Sequence, residues 1–416
     1  MLWQPSLADR YTKAAPDDLA RDIAARRSEL GERLVILGHH YQTDEVIRHA
    51  DVTGDSLKLS QAAARVAAER DVHWVVFCGV HFMAETADML TPEHVDVILP
   101  DLSAGCSMAD MAAYDDTVLA WERLHAGLRE PAASGGRPAR IIPITYVNST
   151  AAIKAFVGAH GGACCTSSNA QRVLEWALAG GTVPRAEGED IRILFLPDQH
   201  LGRNTAARLG IDVGRHAAVY DPKLTARGEP LGGITPQQLR DARVILWAGH
   251  CSVHKLFRPE HCDALRAESA GAPELPPWRI LVHPECVKEV VDRADFAGST
   301  EFIIKTLREA EPGSRWALGT EFHLVRRVAR EAAMRGVTVR VLSDCQCLCT
   351  TMFRIDQPHL LWVLDHLAGR APGMPSGGKG RVVNAIRVHP DARRDALLAL
   401  DRMLALTGAP SLASAD

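Results

Sequence analysis

No two of the ten cysteines form a C-x-x-C pair, so the ligand spacings of ferredoxin runs and zinc ribbons are missing. No apolar run approaches the roughly 18 residues that span a bilayer, and the start, MLWQPSLADRYTKAAPDD, lacks the basic-then-apolar order of a secretory signal. A basic field is absent too. The formal net charge is -4, and no basic tail offers itself to nucleic acid. These absences predict a cytoplasmic protein with no nucleic-acid or membrane partner, working on small molecules. In that reducing compartment the cysteines are not a disulfide framework. Catalysis, metal binding and plain burial are what remain for them.

The 416 residues are 47% hydrophobic and 24% charged, ample for two or three cored domains. Nine short apolar runs, RLVILGHH, VHWVVFCGV, VDVILPD, RIIPITYV, IRILFLPD, RVILWAGH, WRILVHPE, RWALGTE and VTVRVLSD, read as buried parallel strands. Between them, segments such as SLKLSQAAARVAAER, TEFIIKTLREAE and EFHLVRRVAREAAMRG repeat apolar residues every three or four positions. The alternation predicts an α/β fold of helix-covered sheets. REPAASGGRPAR, VGAHGGACC, VPRAEGED and APGMPSGGKGR read as surface insertions or linkers without chemistry.

One loose order of events occurs three times. The first pass is ILGHHYQ, GDSLKLS, FCGVHFMAETA, ILPDLSAGCSM; the second is IPITYVNST, CTSSNA, FLPDQHLGRNTA, ILWAGHCSVH; the third is ILVHPEC, AGSTEFIIK, LGTEFHLVRR, VLSDCQCLCTTM. Each pass ends on a strand that delivers cysteine: Cys106, Cys251, and one of Cys345, Cys347 and Cys349. Cys106 and Cys251 follow apolar strands directly, at the carboxyl edge where open α/β sheets place ligands. Three thiolates from distant parts of a chain suit an iron-sulfur cluster with one iron left open. Zinc bound by Cys251 with His250 and His254, in GHCSVH, is the alternative.

Polar pairs close the first strand of each pass: His39 and Tyr41, Tyr146 and Asn148, His283 and Glu285. Residues two apart on a strand share a face, so each pair can aim into one cavity and exchange protons there. Taken singly, each is as readily a structural residue. Ser56, Ser167, Ser299 and Thr300 precede helical patterns. They fit N-caps, and the same helix starts fit the holding of a carboxylate or phosphate.

Together GHHYQ, GDSLKLS, AGCSMAD, TYVNS, CTSSNA, PDQHLG, GHCSVH, HPEC, AGST and CTTM followed by FRIDQPHLLWVLDHL resemble the quinolinate synthase family, over about Val35 to Met403. The resemblance implies three similar α/β domains with short parallel sheets around a pseudo-threefold axis, the active site at their junction. Their expected extents are 1-118 plus 350-416, with the N- and C-terminal helices, then 119-260 and 261-349. It further implies a 4Fe-4S cluster held by one cysteine per domain and acting as a Lewis acid. The implied reaction condenses iminosuccinate (iminoaspartate) with dihydroxyacetone phosphate to quinolinate, phosphate and water, in de novo NAD biosynthesis. An aspartate oxidase or dehydrogenase that makes iminosuccinate is the implied functional partner.

Carried onto this sequence, the ligands are Cys106, Cys251 and Cys349, the last because it alone stands three residues before Met352 in the family's C-x-x-M element. Substrate contacts fall on His39, Ser56, Tyr146, Val147, Asn148, Ser167, His283, Pro284, Glu285 and Thr300. Tyr41, His254 and Glu285 match residues near the reacting centre. Two features depart from the family pattern. Thr350 stands after Cys349 where proline is frequent, and Cys345 and Cys347 precede it. Cys164 and Cys165 read as bystanders. The rival readings are a zinc-dependent lyase or aldolase, and a non-catalytic redox sensor in which CQCLC forms a disulfide.

Overall fold

The computed structural model describes residues 3–129, 139–344, 347–375 and 378–408. Cys345 and most of REPAASGGRPAR lie outside them. All nine apolar runs form strands: β1 (Leu34–His39), β3 (Trp74–Cys78), β4 (Asp96–Ile98), β5 (Ala139–Tyr146), β7 (Asp190–Leu196), β9 (Val244–Trp247), β10 (Trp278–Val282), β12 (Arg315–Gly319) and β13 (Thr338–Val341). All six residues of β1 are buried, as expected of a strand covered by helices on both faces. Five short strands carry no apolar run and were not predicted: β2 (Val52–Gly54), β6 (Ala163–Cys165), β8 (Ala217–Tyr220), β11 (Phe296–Ala297) and β14 (Ala385–Ile386).

The protein is α/β with three short sheets, ordered β14-β4-β3-β1-β2, β6-β5-β7-β9-β8 and β11-β10-β12-β13. Every pairing is parallel except β14 with β4. Counted in chain order within each repeat, the common part of all three sheets runs 2-1-3-4. Strand order therefore reverses between β1 and β3, between β5 and β7, and between β10 and β12. The carboxyl ends at such a reversal are where an open α/β sheet binds its ligand.

Contacts group the chain into two compact units. One comprises Met1–Cys106, Glu321–Glu331 and Gln346–Val388; the other comprises Ser107–Thr320, Ala332–Cys345 and His389–Asp416. In the first, the N-terminal helices lock onto the helix Gln357–Leu367 through the fully buried Asp365. Its carboxylate meets Arg10 Nη2 at 2.7 Å, Tyr11 Oη at 2.9 Å and Arg26 Nε at 2.7 Å. A buried carboxylate is tolerable only with such partners.

Two expectations are corrected. The closing helix Pro390–Thr407 does not join the first sheet but packs on the helix Ala151–Ala159 and on β6. Arg402 Nη1 fastens it by donating to the carbonyls of Gly158 (2.9 Å) and Gly162 (2.6 Å). VGAHGGACC is not a surface insertion. Its last residues form the buried edge strand β6, with Cys164 and Cys165 fully enclosed.

Gly158 makes the helix contact possible, because a Cβ there would lie 1.8 Å from the Asp395 carbonyl oxygen. Backbone cannot move aside as a side chain can. Gly158→Ala is expected to destabilise the second unit by about 2 to 3 kcal/mol, read as a lowered denaturation midpoint.

Candidate active site

Strand register tests the threefold repeat residue by residue. His39 pairs with Gly54, Tyr146 with Cys165, and Val282 with Ala297, which sets His283 beside Gly298. Two residues beyond each partner stand Ser56, Ser167 and Thr300. His39, Tyr146 and His283 thus occupy equivalent places, as do the three hydroxyl residues. Of the four residues considered for helix capping, only Ser299 caps, accepting the Phe302 N–H at 3.3 Å. Asp55 caps the helix that Ser56 opens, accepting from Lys58 N at 2.9 Å, and Asn169 is the cap residue after Ser167.

In the second unit the structure gathers Tyr146, His254, His283 and Glu285. His254 Nδ1 lies 2.8 Å from Glu285 Oε2, and its Nε2 lies 3.4 Å from Thr320 Oγ1. The His283 ring stacks on His254 with centroids 4.5 Å apart, and its Nδ1 accepts the Glu285 N–H at 3.4 Å. Tyr146 donates its hydroxyl to Glu285. All four residues are buried.

Burial acts to raise the Glu285 carboxyl, but the attraction of His254 and the hydrogen bonds from His254 and Tyr146 hold it below the usual carboxylate range. Burial pushes His283 down to about 3, with Glu285 opposing. His283 is therefore neutral, and the attraction that keeps Glu285 ionised rests on the short contact to His254. Asp198, fully buried nearby, is raised well above the usual range by burial and by the Glu285 charge.

The other residues matched to contacts lie in several places. Val147 is buried and donates its N–H to the Cys165 carbonyl at 2.8 Å. Asn148 Oδ1 is buried without a hydrogen-bond partner among the described residues, an acceptor waiting for a donor. Ser167 and Pro284 line one small cavity with Asn204, Thr205 and Arg208. In the first unit, the buried His39 accepts the Tyr41 N–H on Nδ1 at 3.1 Å, and the two rings meet edge to face at 4.7 Å.

The cysteines separate sharply. Six of the nine described are buried, Cys78, Cys164, Cys165, Cys262, Cys286 and Cys347; only Cys106, Cys251 and Cys349 reach the surface. Burial pushes the thiols of Cys78 and Cys164 up to about 12 and that of Cys262 to about 11, which keeps them from acting as thiolates; the Cys349 thiol is raised by burial as well, with the Thr351 hydroxyl opposing. The three accessible ones share one local geometry. His81 N donates to Ala104 O at 2.9 Å, Gln199 N to Gly249 O at 3.0 Å, and Phe322 N to Cys347 O at 3.0 Å. Each donor is the first residue of a helix, and each acceptor stands two residues before a cysteine. The pattern makes Cys349, not Cys347, the equivalent of Cys106 and Cys251.

Two acids escaped the sequence reading. Asp198 caps its helix by accepting Leu201 N at 2.7 Å, and also takes the Cys251 N–H at 3.1 Å. Glu321 accepts His323 N at 2.8 Å and Cys349 N at 3.5 Å, and burial pushes it up to about 8. The signal was available: an acid directly before the helix in PDQHLG and GTEFHL. The proposed zinc set is corrected as well. His250 turns to Lys255 Nζ at 3.0 Å, and Glu285 takes its place, the ligand atoms of Cys251, His254 and Glu285 lying within 4.8 Å of one another.

A family profile described as Quinolinate synthetase A protein matches residues 21–405. A quinolinate synthase of Nocardioides sp. is 50% identical over 398 residues, spanning 95% of this chain and 91% of that protein. The chain belongs to the quinolinate synthase family of enzymes. Quinolinate synthases of Acidobacterium capsulatum and Streptomyces coelicolor are each 48% identical over 400 residues, spanning 96% of this chain and 96% and 90% of their own lengths. Among the described residues, no helix of this family member is long and apolar enough to cross a membrane.

Differential burial gives a direct check on the thiols. In native metal-free protein, alkylation read by mass spectrometry should reach Cys106, Cys251 and Cys349 well before the six buried cysteines. Equal labelling of Cys347 and Cys349 would undo the register assignment.

Proposed function

We propose that this chain condenses iminosuccinate with dihydroxyacetone phosphate to give quinolinate, using a 4Fe-4S cluster held by Cys106, Cys251 and Cys349. One observation carries the reading. Among the described cysteines, the three that reach the surface are those at one equivalent position of three α/β repeats. Three such domains around a pseudo-threefold axis, much as delimited from the sequence but with the closing helix in the second, would bring those positions to a common junction. With three cysteine ligands, the cluster supplies one open iron as a Lewis acid.

The chain's own residues suit the rest of the chemistry. Iminosuccinate and dihydroxyacetone phosphate together equal quinolinate, one phosphate and two waters, so no electrons are gained or lost and the work is proton transfer and elimination. Glu285, ionised and fixed by His254 and Tyr146, serves as the base. Tyr41, set against His39, and His254 are the remaining proton carriers. Asn148 Oδ1 accepts from a substrate N–H or O–H. Ser56, Ser167 and Thr300, at helix starts but without the cap role, hold carboxylate and phosphate groups. Iminosuccinate would come from an aspartate oxidase or dehydrogenase, in the cytoplasm.

A second reading has its own observation. The close approach of Cys251, His254 and Glu285 suits a single divalent ion such as zinc, with an open position for substrate. Metal analysis separates the two.

Anaerobically reconstituted protein should contain iron and sulfide and form quinolinate from the two substrates. Active, zinc-loaded, iron-free protein would favour the single-ion reading instead. Cys349→Ala should lose the cluster, whereas Cys347→Ala should keep it. Glu285→Gln should retain iron while lowering kcat roughly 10²- to 10⁴-fold.

A further inference from the structure

We infer that Asn204 is a positioning residue that sets the place of Glu285, the inference resting on the proton-transfer role proposed for that carboxylate. Asn204 is 3% exposed and lies on the helix Gln199–Arg208, at the wall of the small cavity it shares with Ser167 and Pro284. Its Nδ2 donates to the carbonyls of both Pro284 and Cys286, at 2.8 Å each. These carbonyls flank Glu285. The same turn is closed by Cys286 N donating to His283 O at 3.0 Å, so the residue carrying the carboxylate is held on both sides.

The chemistry of the contact selects asparagine. Two carbonyls facing one side chain need two N–H donors on one atom, which a carboxamide has, while a carboxylate or hydroxyl does not. Satisfying both fixes the amide orientation and leaves Oδ1 buried without a hydrogen-bond partner among the described residues. An orphaned buried acceptor is unfavourable and uncommon.

The helix joins two parts of the site. Its cap, Asp198, holds the Cys251 N–H; six residues on, roughly 9 Å along the axis, Asn204 holds the Glu285 turn. A rigid helix thereby fixes the spacing between the Cys251 loop and the proton carrier. Loss of Asn204 should free the turn while leaving Cys251 anchored by Asp198.

The test uses full-length, anaerobically reconstituted protein carrying Asn204→Ala, and Asn204→Ser, which keeps one donor. Hydrogen–deuterium exchange over residues 283–287 should quicken at least roughly tenfold in the alanine variant and less in the serine variant, with iron content as in wild type. Quinolinate formation should show kcat reduced about 100-fold with KM within about threefold. Unchanged exchange at the turn would overturn the inference, as would near-normal kcat. Loss of iron in both variants would also overturn it, by making Asn204 a general structural residue. Wild-type protein that exchanges as expected but forms no quinolinate would sink the proposed reaction and leave the positioning contact intact.

Discussion

A single backbone hydrogen bond, made once in each repeat, ties the first amide of a helix to the carbonyl two residues before a cysteine. A helix start leaves amides without intrahelical partners, and an incoming loop that offers a carbonyl relieves one of them. Each bond contributes only about 1 kcal/mol, yet its direction decides where the chain goes next. Two residues later stands a partly exposed cysteine, while the six other described cysteines are buried. The position of the accessible thiols is thus a consequence of helix termini needing acceptors.

The repeats then diverge in how they complete that helix start. In the second and third, Asp198 and Glu321 cap the helix and also receive the cysteine amide; in the first, the cap position is Val80, with no side-chain bond. The two acids sit in apolar surroundings that favour their protonated forms. Glu285 is the counterexample. It is as buried as they are, but His254 and Tyr146 donate to it, so it stays charged. Burial alone does not set the state of a carboxylate: backbone donors do not overcome it at Asp198 or Glu321, whereas at Glu285 the facing imidazole together with the His254 and Tyr146 hydrogen bonds does.

Reading forward from the sequence worked where the pattern was long. The nine major strands were visible because continuous apolar runs are what two-sided burial selects. The edge strands were not, since three residues such as ACC or VTG carry no periodicity. Glycines made VGAHGGACC look like a linker, although the segment ends in β6, whose register sets Ser167 in line with Ser56 and Thr300. The closing helix was misplaced for another reason. Its apolar face requires a partner without naming one, and a missing Cβ at Gly158, 232 positions before Pro390, decides which.

By itself the sequence determined the α/β class, the threefold order of motifs and the short set of side chains able to do chemistry, because these depend on local composition and spacing. Tertiary structure alone decided which neighbours count. His250, adjacent to Cys251 in the chain, turns to Lys255, and Glu285, distant in sequence, comes to stand beside His254. Three alternating thiols in SDCQCLCTTM looked equivalent on paper. Phe322 N separates two of them by taking the carbonyl of Cys347, so that Cys347 is buried and Cys349 is presented. That choice belongs to a hydrogen bond between residues 25 positions apart, and no local pattern encodes it.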